Sequence, residues 1–398
     1  MNVLKRLAAI LTCMTLLCSG CTGASGRSLT LWVITDPHFL SEELFTVSSP
    51  SFQNILSSTG GKMVEYMPAL MQEFENRAAA VHPDAILIPG DLTFNGEYES
   101  LQDLKTLLRR ILDEGINVCV IPGNHDIRYP YAAAFTGDGA FGVRPVTQQE
   151  FTEEMAEFGY AQALSHAPDS FSYTIPLADD LWLLAIDANT EAEPGSVTAA
   201  TLVWMEEQLR KADEQNIHVI SMTHQNVLPQ SDFMAQGYVI SNQESVAAIL
   251  ESGNTLLNLS AHSHLQHTSS DGILTDICTE SAAIYPMGYG ILTIQENHKD
   301  FTYEKAQFSA YQEEGRDRLR ATIHNSAAEA IRETGLSHSD QKAMLEFAEE
   351  VNELYFTGRL TDSSELLSRR EYALFQNYAS DTGLYRYLSS ILSEYDPN

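Results

Sequence analysis

The chain has 398 residues, of which 44% are hydrophobic, enough to bury a sizeable core and too many for an intrinsically disordered protein. It carries 54 acidic and 23 basic residues and a formal net charge of −31 at pH 7. Binding to a phosphate backbone depends on clustered Lys and Arg, so this charge argues against long nucleic acid as a partner. Small phosphorylated molecules stay open as ligands, because bound cations can reverse the potential inside a cleft.

Residues 1–20 have the pattern of an export signal. Lys5 and Arg6 precede an apolar stretch at residues 7–17, which is too short to span a bilayer, and small residues follow it. We expect this signal peptide to be absent from the mature protein. No later segment of the sequence has the apolar length of a membrane-spanning helix.

The residues before Cys21 resemble the lipobox of bacterial lipoproteins, with the sequence Leu-Cys-Ser-Gly-Cys at 17–21. The resemblance implies lipidation of Cys21 and an extracytoplasmic protein anchored to the membrane through its lipid, with residues 21–28 as a short tether. Cys18 is an unusual residue within that motif. The alternative is an ordinary secretory signal cut near Ala24, which would give a secreted protein.

From residue 29 onward, short apolar runs alternate with stretches whose apolar residues recur at helical spacing, a pattern typical of a layered α/β sheet. The predicted strands lie at 30–35, 85–89, 118–122, 170–175, 181–186, 219–223, 256–261, 272–278 and 288–294. The predicted helices lie at 63–74, 101–112 and around 202–209. Together they predict an α/β domain over residues 29–299.

Two stretches fall outside this alternation. Residues 39–61 are predicted to form a polar loop beside the site, either in contact with substrate or as a passive insertion. From about Asp300 the strand signals stop, and acidic amphipathic helices are predicted with apolar stripes at 323–331, 344–355 and 384–391. This helical extension, residues 300–398, either caps the main sheet with its apolar stripe or shapes the substrate site or a partner surface.

The cysteines left after loss of the signal peptide are Cys21, Cys119 and Cys278. Cys119 and Cys278 lie in apolar runs, which leaves open either one disulfide or two isolated buried thiols. Their number does not indicate a disulfide scaffold.

Side chains that can bind metals follow five of the predicted strands. In chain order they are Asp36-Pro37-His38, Gly90-Asp91, Gly123-Asn124-His125-Asp126, His224 and His262-Ser263-His264. Each group alone has an ordinary explanation, such as a turn or a buried histidine. Because the carboxyl ends of strands in an open α/β sheet border the ligand crevice, the ordered series favours a two-metal hydrolytic site.

The donor types fit phosphate ester hydrolysis. Two cations about 3.5–4 Å apart can neutralise the phosphoryl oxygens and generate a hydroxide near neutral pH. Asp91 is the natural bridge, since each of its two oxygens can face one metal. Imidazole and carboxylate ligands suit two divalent or trivalent ions such as Mn, Fe or Zn. The neutral Asn124 amide leaves more positive charge for the substrate.

This series resembles that of the calcineurin-like metallophosphoesterases, and the resemblance covers roughly residues 29 to 295. The resemblance implies a sandwich of two mixed β-sheets flanked by helices. It further implies one metal held by Asp36, His38, Asp91 and His264, and a second held by Asp91, Asn124, His224 and His262. By the same resemblance, His125 protonates the leaving oxygen and Asp126 orients it.

Three positions refine the resemblance. Ala261 stands where the family's last motif usually has glycine. His38 stands where purple acid phosphatases have glycine, and Phe94 lies three residues after Asp91, where those enzymes carry a tyrosinate ligand. These departures argue against a purple acid phosphatase. The arrangement with His38 resembles the branch that contains bacterial cyclic-nucleotide phosphodiesterases.

The sequence therefore predicts a metal-dependent phosphoesterase for small phosphorylated substrates, with phosphodiesters such as cyclic nucleotides as the expected class. One alternative is an extracytoplasmic phosphomonoesterase or nucleotidase. Another is a surface scaffold that kept the fold and lost catalysis, although every ligand position is filled. The sequence leaves the oligomeric state open.

Overall fold

The computed structural model describes residues 27–253 and 255–397. The predicted signal peptide, the lipobox and Cys21 lie outside the described residues. Within them, no helix combines the length and apolar character needed to cross a bilayer.

The described residues form two mixed β-sheets and a small two-stranded sheet. The strands are β1 Leu29–Val33, β2 Ala85–Pro89, β3 Asn117–Ile121, β4 Ala133–Ala134, β5 Phe141–Gly142, β6 Ser165–His166, β7 Tyr173–Ala178, β8 Leu181–Ile186, β9 His218–Thr223, β10 Thr255–Ser260, β11 His267–Ser270, β12 Thr275–Cys278, β13 Gly288–Ile294 and β14 Phe301–Gln307. The first sheet has the order β14-β13-β1-β2-β3, and the second has the order β11-β12-β10-β9-β8-β7-β6. Strands β4 and β5 pair with each other.

Helices flank the sheets and make up most of the C-terminal region. They are α1 Pro50–Leu56, α2 Met67–Val81, α3 Tyr98–Asp113, α4 Gln148–Glu154, α5 Ala199–Glu214, α6 Gln243–Ser252, α7 Gln312–Glu333, α8 His338–Phe356, α9 Ser364–Ser368, α10 Arg370–Tyr378 and α11 Gly383–Glu394. Short 3-10 helices occupy Glu42–Leu44, Val64–Tyr66 and Tyr160–Gln162.

The central strands of both sheets run parallel. In the first sheet β1, β2 and β3 are parallel, and in the second β8, β9 and β10 are parallel. All residues of β2 (AILIP) and β8 (LWLLAI) are buried, as expected for parallel strands that are covered on both faces. The carboxyl ends of the parallel strands in each sheet therefore lie side by side, at the same end of the sheet.

One core cluster contains side chains from both sheets, including Val33 and Ile88 of the first and Ile220 and Leu259 of the second. Helices α2 and α3 add side chains to this cluster, while α5 and α6 cover the second sheet through a separate cluster. The predicted fold, a layered sandwich of two mixed sheets with flanking helices and a helical C-terminal region, is confirmed.

Some edge strands in both sheets were not predicted, and the longest of them are β14 and β11. The expectation that strands stop near residue 300 is wrong, because β14 pairs antiparallel with β13 from Phe301 to Gln307. The sequence of β14, FTYEKAQ, is half exposed and lacks the apolar run of a central strand. Strand β11 (HTSS), at the edge of the second sheet, has no apolar residue at all. Edge strands need fewer apolar residues, since only part of their surface is covered.

The predicted polar loop at residues 39–61 is more ordered than expected. Ser49 caps α1 by accepting a hydrogen bond from the Phe52 backbone amide. Leu40 and Phe52 are fully buried in a small core that also contains Phe94 and Phe135. Because this core packs the segment against Phe94 and Phe135, the segment is part of the folded domain.

The C-terminal helices have a core of their own. The predicted helical stripes lie within α7, α8 and α11, and their buried side chains form one cluster. The main domain contributes Met234 and Leu265 to that cluster. The apolar stripe is thus buried mainly among the helices themselves and not against the sheet. Cys119 and Cys278 are buried free thiols, so they form no disulfide with each other.

Candidate metal centre

The backbone at the strand ends bends sharply to bring the predicted ligands together. Five of these residues have positive φ, although none is glycine. The angles are 47° at Asp36, 43° at His38, 49° at Asp91, 64° at His262 and 56° at His264. A left-handed backbone in a non-glycine residue costs about 1–3 kcal/mol and concentrates at functional sites. The clustering of such residues at these positions is independent support for a site here.

Two glycines allow the strand-end turns to approach each other closely. A Cβ atom on Gly123 would collide with the carboxylate and backbone nitrogen of Asp91. A Cβ atom on Gly90, whose φ is 93°, would lie 2.7 Å from both the Gly123 nitrogen and the His224 Nδ1 atom. The turns after β2 and β3 and the ring of His224 therefore pack together only because both positions lack a side chain.

The first cluster that could hold a metal joins four residues from both sheets. The ligand atoms of Asp36, His38, Asp91 and His264 lie within 4.8 Å of one another. The Nε2 atoms of His38 and His264 are 3.2 Å apart. Two nitrogens that share a tetrahedral ion at the usual bond length of about 2.0–2.1 Å have a similar separation, so the residues fit a metal.

A second cluster shares Asp91 with the first. The ligand atoms of Asp91, His224 and His262 also lie within 4.8 Å of one another. His224 Nε2 is 3.3 Å from Asp91 Oδ1, whereas His38 Nε2 is 3.6 Å from Asp91 Oδ2. The two oxygens of Asp91 thus face different clusters. Asn124 joins the second group, with its Oδ1 atom 3.0 Å from His224 Nε2.

Backbone carbonyls orient two of the histidines. His224 Nδ1 lies 2.9 Å from the Pro89 oxygen, which leaves Nε2 free to face the cluster. His262 Nε2 lies 3.2 Å from the Gly237 oxygen, which leaves Nδ1 for the same purpose. Metal-binding histidines commonly donate their second ring N–H in this way, which fixes the tautomer.

The charged groups of the two clusters perturb each other strongly. Burial raises the pKa of Asp91, but nearby histidines, His224 first among them, outweigh it and hold this pKa well below its usual range. Burial opposes the charge on His224, but the Asp91 and Asp36 carboxylates outweigh it and raise the pKa to about 9. Burial lowers the pKa of His262 to about 4. At neutral pH a proton therefore competes with metal at His224 but not at His262.

His125 lies beside the clusters with its ring held in place. Its Nδ1 atom is 2.9 Å from the Phe94 oxygen and 3.1 Å from Asn95 Oδ1, and its backbone amide donates to Asp91 Oδ1. The ring of Tyr129 stacks on it at 4.5 Å. A proton shared between Nδ1 and these acceptors leaves Nε2 as the nitrogen that can exchange a proton.

The carboxylate of Asp126 binds the backbone of two turns and not the ring of His125. Its carboxylate accepts hydrogen bonds from the backbone amides of Leu92, Thr93 and Gly123, and from the Thr93 hydroxyl. It therefore ties the turn after β2 to the turn after β3, while Phe94 and Asn95 contact the His125 ring. The predicted role of Asp126 in orienting His125 would therefore be exerted through these two turns. Burial raises the pKa of Asp126 to about 6.

Sequence reasoning missed three residues around the site, namely Lys62, Asn95 and Tyr129. Asn95 and Tyr129 contact His125. The charge of Lys62 interacts with the carboxylates of Asp91 and Asp36, which counteract the lowering of its pKa by burial. Asn95 and Tyr129 each lie four residues from a motif residue, Asp91 or His125, and that short spacing was the available signal. Lys62 does not lie within a few residues of any motif residue, so the sequence contains no such signal for it.

The model of the calcineurin-like phosphoesterase family matches residues 29–266, which is more than half of the chain and includes every residue of both clusters. The chain belongs to this family. The superfamily expected from the sequence is thus confirmed, and the protein is a hydrolase of phosphate esters. A second model, described as the C-terminal domain of cyclic nucleotide phosphodiesterase, matches residues 296–398 of this family member.

One solved structure has the same fold, and a second is similar over part of its length. A dimetal phosphatase from Danio rerio is 12% identical, covers 70% of this chain and 96% of its own, and has a TM-score of 0.51. A 5'-nucleotidase described as putative, from Staphylococcus aureus, is 12% identical over 74% of this chain and 58% of its own, with a TM-score of 0.43. At 12% identity the likeness to the dimetal phosphatase shows the fold alone. No curated protein sequence matches this chain.

Proposed function

We propose that this phosphoesterase hydrolyses small phosphodiesters, with cyclic nucleotides as its substrate class. The observation that carries the substrate class is the match of residues 296–398 to the C-terminal domain of cyclic nucleotide phosphodiesterase. The shared position of Asp91 between two clusters supports a dinuclear centre.

In this proposal, Asp36, His38, Asp91 and His264 hold one metal, and Asp91, Asn124, His224 and His262 hold the other. The mixture of imidazole, carboxylate and amide donors suits Mn, Fe or Zn. Two such ions supply Lewis acidity and a nucleophile at neutral pH.

The protein's own residues would handle the leaving group. His125 would give its Nε2 proton to the departing oxygen of the ester, while the Phe94 carbonyl keeps Nδ1 occupied. Asp126 would act at one remove, by holding together the two turns that carry Asp91 and Asn124.

The test uses purified protein loaded with Mn²⁺ or Zn²⁺ and assayed on bis-p-nitrophenyl phosphate, p-nitrophenyl phosphate and 3',5'-cyclic AMP. We expect faster hydrolysis of the diesters and two metal ions per chain. A preference for the monoester would establish a phosphomonoesterase or nucleotidase instead. No turnover of any ester by protein with both metals bound would favour a scaffold.

We further propose that the protein is held at the outer face of a membrane by lipid on Cys21 and acts there on small phosphorylated molecules. The support is the lipobox-like sequence at residues 17–21. A Cys21→Ser variant expressed in a bacterium should move from the membrane fraction to the soluble extracytoplasmic fraction. Equal distribution of both proteins would contradict the anchor.

A further inference from the structure

A short segment lies between the metal centre and the first helix of the C-terminal region. This Lys62 segment, residues 61–66, precedes α2 and contains the 3-10 helix Val64–Tyr66. The backbone is bound on both sides, by the main domain at Met63 and by α7 at Lys62. The segment therefore connects the two regions of the chain at the edge of the site.

On the side of the site, the same stretch of backbone holds both the Lys62 segment and the turn that carries Asp36. The Met63 amide donates to the Ala283 oxygen at 2.7 Å. Two residues earlier, the Ser281 hydroxyl donates to the Asp36 backbone oxygen at 3.0 Å. The Lys62 segment thus runs beside a proposed metal ligand.

The ammonium group of Lys62 lacks a strong partner. Among the described residues, its acceptor is the Thr59 oxygen at 3.5 Å, the outer limit for a hydrogen bond, and no carboxylate forms an ion pair with it. An ammonium has three donors, so most of its hydrogen-bonding capacity stays available. Burial lowers the pKa of both His38 and His125, which lie in the site, and the nearby charge of Lys62 lowers both further.

On the side of the C-terminal region, Arg318 of α7 donates hydrogen bonds to two residues of the segment. Its Nη1 atom donates to the Lys62 oxygen at 3.0 Å and to Glu65 Oε2 at 2.8 Å, and its Nη2 atom donates to Glu65 Oε1 at 2.5 Å. The Glu65 side chain is only 8% exposed. Gly61 lies against the same helix, since a Cβ atom there would be 3.6 Å from Thr322 Oγ1. Bidentate pairs of this kind fix geometry as well as adding energy.

We propose that Lys62 binds the phosphoryl group of the substrate and that Arg318 of the C-terminal region positions it for this contact. The inference rests on the proposed function, and it gives the C-terminal helices a role in the active site. Arg318 is a positioning residue, because it reaches the Lys62 backbone and not the reacting atoms.

The charges of the site explain why a lysine there would serve substrate binding. Asp36 and Asp91 are the carboxylates of the two clusters. Two divalent cations held by these residues would outweigh the carboxylates, so the Lys62 charge would add to an excess of positive charge. An anion bound near Lys62 and the two clusters would reduce that excess. A phosphoryl group is an anion of that kind. The hydrogen bonds of Arg318 would hold the Lys62 backbone in place before the substrate binds.

The test measures binding of inorganic phosphate to the Mn²⁺-loaded protein by calorimetry, together with kcat and KM on bis-p-nitrophenyl phosphate. Lys62→Met should weaken phosphate binding and raise KM by about tenfold or more, the loss expected for one hydrogen bond to a charged group. Metal content should stay at the wild-type value. Lys62→Arg should restore part of the affinity.

Arg318→Met should weaken phosphate binding in the same direction, and the double variant with Lys62→Met should be no worse than Lys62→Met alone. Arg316→Met is the matched control, because Arg316 lies on the same helix and pairs with Glu353 of α8 instead. Unchanged phosphate affinity in Lys62→Met, loss of metal in that variant, or equal effects of Arg318→Met and Arg316→Met would overturn the proposal. Phosphate binding that depends on Lys62 in a protein without turnover would refute the proposed function alone.

Discussion

His125 is the residue proposed to act in the reaction without binding a metal. Its ring contacts Phe94 and Asn95 through Nδ1, and its pKa is lowered, first by burial. A group with this geometry can release a proton to a leaving oxygen without holding a metal itself. Its contribution therefore depends on how much the leaving group needs a proton.

Replacement of His125 by alanine should lower kcat by about 10²–10⁴-fold on cyclic AMP, the usual range for general acid catalysis. The loss should be much smaller on bis-p-nitrophenyl phosphate, because p-nitrophenolate leaves readily without protonation. Metal content, measured by atomic emission, should match wild type. Equal losses on both substrates would assign His125 to phosphoryl binding or structure instead.

Tyr131 offers an exposed aromatic surface close to His125. The residue is 68% exposed, and its ring lies 5.4 Å from that of Tyr129, which stacks on His125. An aromatic side chain beside a phosphodiester site can stack on a nucleobase, a contact worth about 1–3 kcal/mol. If cyclic nucleotides are the substrates, as proposed above, we expect Tyr131 to make this contact.

Tyr131→Ala should raise KM for cyclic AMP by about 5- to 150-fold, as that stacking energy predicts. It should leave KM unchanged for ribose 3,5-cyclic phosphate, which has no base. Tyr378→Ala serves as the control, since Tyr378 is 54% exposed on α10 in the C-terminal region. An equal rise in KM for both cyclic phosphates would exclude base stacking.

At the level of residues, the sequence predicted the ligands but not the groups that hold them. Asp91 and His224 follow short apolar runs, and the ligand groups occur in a fixed order along the chain, which is a local signal. Lys62 has no such signal, because its place depends on contacts with Ala283 and Arg318, which lie more than two hundred residues away. Asp126 follows His125 in sequence, but its carboxylate accepts hydrogen bonds from the Leu92 and Gly123 amides, which sequence alone does not indicate.

At the level of elements, the central strands were predictable and the edges were not. Strands such as β2 and β8 are buried on both faces and therefore appear as continuous apolar runs. Strands β11 and β14 lie at sheet edges, and their polar sequences resemble loops. Helix α1 is also short and contains only a few apolar residues, so its sequence resembles a loop and it lies within the segment predicted as one.

The connection between β12 and β13 contains an unusual buried carboxylate. Glu280 is fully buried, and among the described residues neither of its oxygens has a hydrogen-bond partner. Burial raises its pKa to about 7, with a smaller opposing effect from Lys305. The folded protein therefore binds a proton here more tightly than the unfolded chain does. This group is neutral in the folded state at low pH and destabilises that state as it ionises.

Stability should fall as pH rises from about 4.5 to 7 because of Glu280, and a shift of this size corresponds to about 3 kcal/mol. Glu280→Gln removes the ionisation, so it should raise the free energy of unfolding at pH 8 much more than at pH 5. Urea denaturation in the presence of a chelator measures this without a contribution from metal. Glu296→Gln, at an exposed position, is the control. A Glu280→Gln effect that is the same at both pH values would contradict the buried-charge explanation.

At the scale of the whole molecule, the two clusters join the two sheets. Asp36 and Asp91 follow strands of the first sheet, whereas His224 and His262 follow strands of the second. The C-terminal helices form a separate core that meets the main domain at Met234 and Leu265. Metal binding should therefore stabilise the sandwich more directly than the helical region.

Chelation should lower the unfolding temperature of the sandwich, because a ligand bound only to the folded state contributes about 4 kcal/mol at a free concentration 1,000 times its Kd. The chain's 3 tryptophans report on this region alone, since Trp32, Trp182 and Trp204 lie in β1, β8 and α5. Tryptophan fluorescence should show a lower melting temperature after treatment with EDTA.

Asp91→Asn should unfold at the same temperature with and without EDTA, because one residue serves both clusters and its loss should remove both metals. Asp213→Asn, at an exposed position on α5, should respond to EDTA as wild type does. If EDTA lowered the fluorescence melting temperature of Asp91→Asn as much as that of wild type, the stabilising metal would be bound elsewhere. The clusters would then not be what ties the two sheets together.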